Sequence, residues 1–147
     1  YWVATAGDHI FAEPETITGS IGVFAVLPSF EKALAKWGVT ADGVQTTPLS
    51  GEPNFVGGFS EDLNVILQSG VENSYRDFVT LVAKARGKTP TQVDEIGQGR
   101  VWDGGTARQL GLVDGFGGMQ DALAEAAKRA GLAEGDYHPK YLDPQSR

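Results

Sequence analysis

The chain has no cysteine, which excludes a disulfide scaffold and any thiolate metal site, and it has only two histidines, His9 and His138. Cations are scarce as well: 12 Lys and Arg stand against 19 Asp and Glu, a formal net charge of −7. With no basic stripe along the chain, nucleic-acid binding is excluded. Long hydrophobic runs are missing too. The longest, around Gly22 to Pro28, falls far short of the ~20 residues that a membrane-spanning helix needs. Any membrane attachment is therefore expected from a segment outside this chain. Repeats and low-complexity tracts are absent.

What remains is the composition of one globular domain: 147 residues, 41% hydrophobic and 21% charged, enough to bury a core. Short apolar runs alternate with amphipathic stretches. Tyr1 to Ala6 reads as the end of a truncated helix closed by Gly7, and His9 to Ala12 and Gly22 to Leu27 read as strands. Ser29 is placed to cap a helix over Phe30 to Trp37, with Phe30, Leu34 and Trp37 on one face and Gly38 at its end. Val39 to Thr46 reads as a further strand, and Thr47 to Phe59, rich in Gly and Pro, as a loop that exposes Phe55 and Phe59.

Ser60-Glu-Asp supplies a cap and an acidic first turn for a long helix to about Arg86. Leu63, Leu67, Val71, Tyr75, Phe78, Val82 and Ala85 form its apolar stripe, and Gly70 marks a weak point or bend. Thr89-Pro-Thr-Gln92 has capping-box form, so a short helix follows to about Ile96. A strand over Gly99 to Gly104, a helix over Thr106 to Leu110 closed by Gly111, a strand at Leu112 to Asp114 and a helix over Gln120 to Ala130 complete the pattern. Tyr137 to Leu142 reads as a last strand. The alternation predicts α/β architecture, a mostly parallel sheet with flanking helices. Residues 1–143 are expected to form the domain and 144–147 a loose tail.

Ser20 lies between Gly19 and Gly22 in Thr18-Gly-Ser-Ile-Gly, at the mouth of an apolar run. Two readings are open from the residues alone. The segment is a turn whose hydroxyl satisfies a nearby backbone group, or the hydroxyl belongs to an active site. A nucleophilic serine needs a base within reach and an oxyanion hole, and Thr18 stands where a Gly-x-Ser-x-Gly elbow has its first glycine. His9, inside an apolar run, and His138, near the C-terminus, are poor bases. Asp103 and Asp114, each before a glycine, suit turns or helix starts. Gly115-Phe-Gly-Gly118 lacks a phosphate loop's lysine and reads as a turn. No spacing of carboxylates and histidines suggests a metal site, and no cofactor is implied.

Tyr1-Trp2, Ala12-Glu-Pro14, Thr18-Gly-Ser-Ile-Gly-Val23, Asp42-Gly43, Gly99-Arg-Val-Trp102 and Gly111-Leu-Val-Asp114 together resemble, in order and spacing, the signal peptide peptidase A (protease IV) family of bacterial serine peptidases, family S49. The resemblance implies a crotonase-like/Clp-like fold, incomplete at its N-terminus, and a Ser-Lys dyad in place of a histidine triad. It places the nucleophile, in an Ala-Ser-Gly-Gly segment, just before the aromatic pair matched by Tyr1-Trp2. This chain is then the C-terminal catalytic portion of a long, two-repeat member, with the base lysine in an N-terminal half that it does not contain. The loop at Pro48-Leu49-Ser50, where short members carry that lysine, has none, and Lys32, Lys36, Lys84 and Lys88 read as surface lysines on helices.

A lysine base titrates near pH ~10.4 unless it is desolvated, and the neutral amine must then be aimed. Ser20 matches the family serine that aims it. Gly19, Ile21, Gly22, Val23 and Phe24 are the implied peptide-binding residues. The implied function is degradation of signal peptides left in the membrane, by a homo-oligomer at the periplasmic face of the bacterial inner membrane. The fragment alone, lacking nucleophile and base, is expected to be inactive. A non-catalytic assembly module using Phe55 and Phe59, and a crotonase-type acyl-CoA enzyme, are the alternatives.

Overall fold

A computed structural model of the chain describes residues 1–133 and 135–140. It is an α/β protein with two compact units, Tyr1–Ser20 with Arg100–Arg147, and Ile21–Gly99.

In the first unit, residues Val3–Ala6 form a 3-10 turn. Gly7 follows with extended backbone, φ −84° and ψ 151°, so the expected helix end is one tight turn without a left-handed cap. Strand β1 (Phe11–Ala12) pairs in parallel with β4 (Gly115–Phe116), Phe11 opposite Gly115 and Ala12 opposite Phe116. Strand β2 (Ile17–Ile21) pairs with β3 (Arg100–Asp103). Helix α4 (Gly104–Gln109) follows β3 without a loop because Asp103 caps it: Oδ1 accepts from the Thr106 amide at 2.8 Å and Oδ2 from the Thr106 hydroxyl at 2.7 Å. Helix α5 (Met119–Arg129) starts where the Gly118 amide donates to Asp121 Oδ2 at 2.8 Å. Ala12, Ala107, Leu112, Val113 and Ala127 are the buried apolar residues here.

The strand expected at Leu112 to Asp114 forms one step later, at Gly115–Phe116, inside the segment read as a turn. The cause is Asp114. Its Oδ2 accepts from the Ile10 amide at 2.8 Å, while its own amide and that of Gly115 donate to the Ile10 carbonyl at 2.9 and 3.3 Å. The pairing with β1 therefore begins past it, and Leu112 and Val113 pass through the interior as irregular chain.

In the second unit, α1 (Glu31–Ala35) starts after Phe30, with no side-chain cap. The Phe30 amide donates to the Phe55 carbonyl at 2.8 Å, a tertiary partner in place of the expected Ser29 hydroxyl. Phe30 and Trp37 are exposed and Leu34 half-buried, so the stripe of α1 is largely uncovered.

Helix α2 (Glu61–Arg86) runs unbroken through Gly70. Ser60 Oγ accepts from the Leu63 amide at 3.2 Å, and Gly87 ends the helix in left-handed conformation, φ 60°. The buried face comprises Phe78, Val79, Val82 and Ala83. Leu63, Leu67, Val71 and Tyr75 are half-buried and Ala85 is exposed, because cover comes chiefly at the C-terminal half. Helix α3 (Pro90–Ile96) packs there, with Val93 fully buried. It has the expected capping box: Thr89 Oγ1 accepts from the Gln92 amide at 3.2 Å, and Gln92 Oε1 from the Thr89 amide at 2.9 Å.

Two expected strands do not form: Gly22 to Leu27 and Val39 to Thr46 are irregular. Among the described residues no strand lies beside either, and a strand without a partner has no outlet for its backbone groups except water. Phe55 is exposed as expected, whereas Phe59 is half-buried and meets Phe55 edge-on at 5.7 Å. Tyr137 to Lys140 is irregular, and the rest of the expected last strand, with the tail, lies outside the described residues.

Candidate functional site

Strand β2 carries the serine. Thr18 anchors it: its Oγ1 accepts from the Trp102 amide of β3 at 3.2 Å and donates to the Gly19 carbonyl at 3.0 Å. Gly19 turns the backbone at φ +74°, a left-handed position that suits glycine. Ser20 follows, exposed, its hydroxyl without a hydrogen-bond partner among the described residues. The turn reading required that hydroxyl to satisfy a neighbouring backbone group. Thr18, two residues earlier, has that role instead, which the sequence pattern did not indicate.

Of the other candidate residues, Gly19 belongs to β2, and Ile21 is fully buried, so any contact it makes with a peptide is through its backbone. Gly22 and Val23 are half-buried, and Phe24 is 75% exposed. No histidine or lysine hydrogen-bonds Ser20 among the described residues. His9 is half-buried with its ring 4.4 Å from that of Phe11, and His138 is exposed. Lys32, Lys36 and Lys84 are exposed and Lys88 half-buried.

The acids act structurally. Hydrogen bonds from the amide and then the hydroxyl of Thr106 hold the Asp103 carboxyl below the ordinary aspartate range, as a helix cap requires. Glu125 is likewise lowered, first by its bond to Arg129 Nε at 2.8 Å.

Motifs far apart in the chain meet in the first unit. The Tyr1 hydroxyl donates to the Leu112 carbonyl at 2.6 Å, the Gly105 amide donates to the Pro14 carbonyl at 3.1 Å, and Thr18 joins Trp102. Compared with known proteins, residues 1–133 match the family described as Peptidase family S49.

The chain belongs to peptidase family S49. It is 43% identical to Protease 4 of Salmonella typhi over 145 residues, 99% of this chain and 23% of that protein. With Protease 4 of Haemophilus influenzae it shares 42% identity over 86% of this chain and 20% of the relative. A putative signal peptide peptidase SppA of Enterococcus faecium is 36% identical over 91% of this chain and 39% of its own length. The chain thus spans about a fifth to two fifths of these S49 relatives.

Proposed function

We propose that the chain is part of an S49 serine endopeptidase with a crotonase-like or Clp-like fold, and that Ser20 is its base-orienting hydroxyl. The exposed, unpartnered hydroxyl of Ser20, in a chain of this family, carries the reading. On this reading the nucleophile and the base lysine lie outside these 147 residues. In the complete protein the neutral amine of that lysine, aimed by a hydrogen bond to Ser20, takes the nucleophile's proton as its oxygen attacks the scissile carbonyl. The resulting ammonium returns the proton to the leaving amine, and water then releases the acyl group by the same route.

The substrates are apolar, extended peptides, signal peptides left in the membrane, bound along Gly19, Ile21, Gly22, Val23 and Phe24. Among the described residues Gly22 to Leu27 joins no strand, and such a backbone is suited to adding a peptide as a strand. The setting is the periplasmic face of the bacterial inner membrane, with attachment through a segment outside this chain and assembly as a homo-oligomer. Among the described residues no helix is long and apolar enough to cross a membrane. A second reading, the non-catalytic assembly module of Phe55 and Phe59, draws on the exposure of Phe55 and of Phe24, Val26, Trp37 and Val44 elsewhere in residues 21–99.

Activity-based labelling separates the two. In the complete protein a fluorophosphonate is expected to label a serine other than Ser20, and the 147-residue chain alone is expected to show neither labelling nor peptide turnover. Adduct formation on Ser20 contradicts the assignment, and absence of any labelled serine in the complete protein favours the assembly module.

A further inference from the structure

Thr18, Gly19 and Ser20 follow one another on β2, and all three belong to the same compact unit as β3. In a regular strand, residues two apart share a face. Gly19 interrupts that regularity with φ +74°, and the side chains on either side of it differ in cover, Thr18 half-buried and Ser20 exposed. Left-handed glycine inside a strand is the conformation of one class of β-bulge, a device that re-aims the side chain beside it. Nothing lies within 4 Å of where a Cβ on Gly19 would sit, so glycine is required there by the backbone and not by a close neighbour.

The Thr18 hydroxyl holds both sides of this kink. On one side its Oγ1 accepts from the Trp102 amide at 3.2 Å. That amide stands on firm ground, because Trp102 is half-buried and the next residue, Asp103, caps α4 through the Thr106 amide at 2.8 Å. On the other side the Thr18 hydroxyl donates to the Gly19 carbonyl at 3.0 Å. This carbonyl belongs to the planar peptide unit whose nitrogen is that of Ser20, so a bond that fixes its oxygen fixes the whole unit. The Ser20 Cα, from which the side chain departs, is the last atom of that plane.

We propose that Thr18 is a positioning residue for Ser20: its hydroxyl, seated on the Trp102 amide, holds the Gly19 to Ser20 peptide unit in its left-handed turn and so fixes the stem of the Ser20 side chain. This role rests on the reading of Ser20 as the base-orienting group. A threonine that merely joined β2 to β3 would affect stability without any coupling to Ser20.

A double-mutant cycle in the complete protein tests it, with Thr18→Val, Ser20→Ala and the pair. Valine keeps the shape and the β-branch of threonine and removes only the hydroxyl. Thr18→Val is expected to lower kcat about tenfold or more with KM within about twofold, since small misplacements of a reacting group carry losses of this order. It should cause no further loss once Ser20 is alanine. Thr18→Ser, which retains the hydroxyl, should restore kcat to within about twofold of the wild type. Losses that multiply, a Thr18→Ser variant as impaired as Thr18→Val, or an unchanged kcat in Thr18→Val while Ser20→Ala is impaired, each overturn the positioning role. An unchanged kcat in Ser20→Ala overturns instead the reading on which it rests.

Gly19→Val provides a second variant that leaves the Thr18 hydroxyl in place. There is room for its side chain, but a β-branched residue is strained at φ +74°, so the peptide unit should leave its turn and kcat should fall. An unchanged kcat in Gly19→Val contradicts the proposal even if Thr18→Val fails to fold.

Discussion

In residues 60–99 two helices begin at the residues whose side chains cap them, and they bury Phe78, Val82 and Val93. In residues 22–59 the apolar side chains of Phe24, Val26, Trp37 and Val44 are between 75% and 100% exposed, and neither expected strand forms. Both stretches carry apolar patterning in the sequence. They differ in where their backbone bonds are made. A helix satisfies its amides within itself, so its pattern and caps suffice to start it. A strand needs a neighbour, and the patterning at Gly22 to Leu27 meets none among the described residues.

Stability measurements can break this comparison. Phe78→Ala, at a side chain only 3% exposed, should lower unfolding free energy by about 3–5 kcal/mol, whereas Trp37→Ala, at one 85% exposed, should stay within about 0.5 kcal/mol. Denaturant titration of the two variants checks this, and a large loss in Trp37→Ala would show that residues 22–59 are packed after all. Thr89→Ala, which removes one half of a capping box, comes next at about 1 kcal/mol.

The smallest effect is expected at the seam. Glu52 accepts from the Ser60 amide at 2.9 Å and the Asn54 amide at 3.1 Å, tying the loop to the start of α2. Hydrogen bonds from Ser60, side chain first and backbone second, hold its carboxyl below the usual glutamate value. A carboxyl depressed in the folded state adds stability above its unfolded pKa and loses it as pH falls through the folded one. Wild type should therefore weaken slightly more on acidification than Glu52→Gln, as thermal unfolding followed from neutral to acid pH would show.

Legibility followed the same division. The caps at Ser60 and Thr89, the span of α2 and α3 and the role of Asp103 were readable because each depends on residues within one helical turn. The strand shift to Gly115 was not, since it depends on Asp114 meeting Ile10, more than a hundred residues away. At the candidate site the sequence picked out Ser20 through motifs in register, and the family match covers those motifs. It did not reveal the Thr18 to Trp102 bond, because groups that meet only in the fold leave no local pattern.

Ser20 is the central residue of the proposed mechanism, and the kinetics of Ser20→Ala in the complete protein test its role most directly. If Ser20 aims the base, kcat falls by about 100-fold or more, within the range that general base catalysis supplies, while KM and thermal stability change little. A kcat equal to that of the wild type would contradict this role and make Ser20 an ordinary exposed serine of β2.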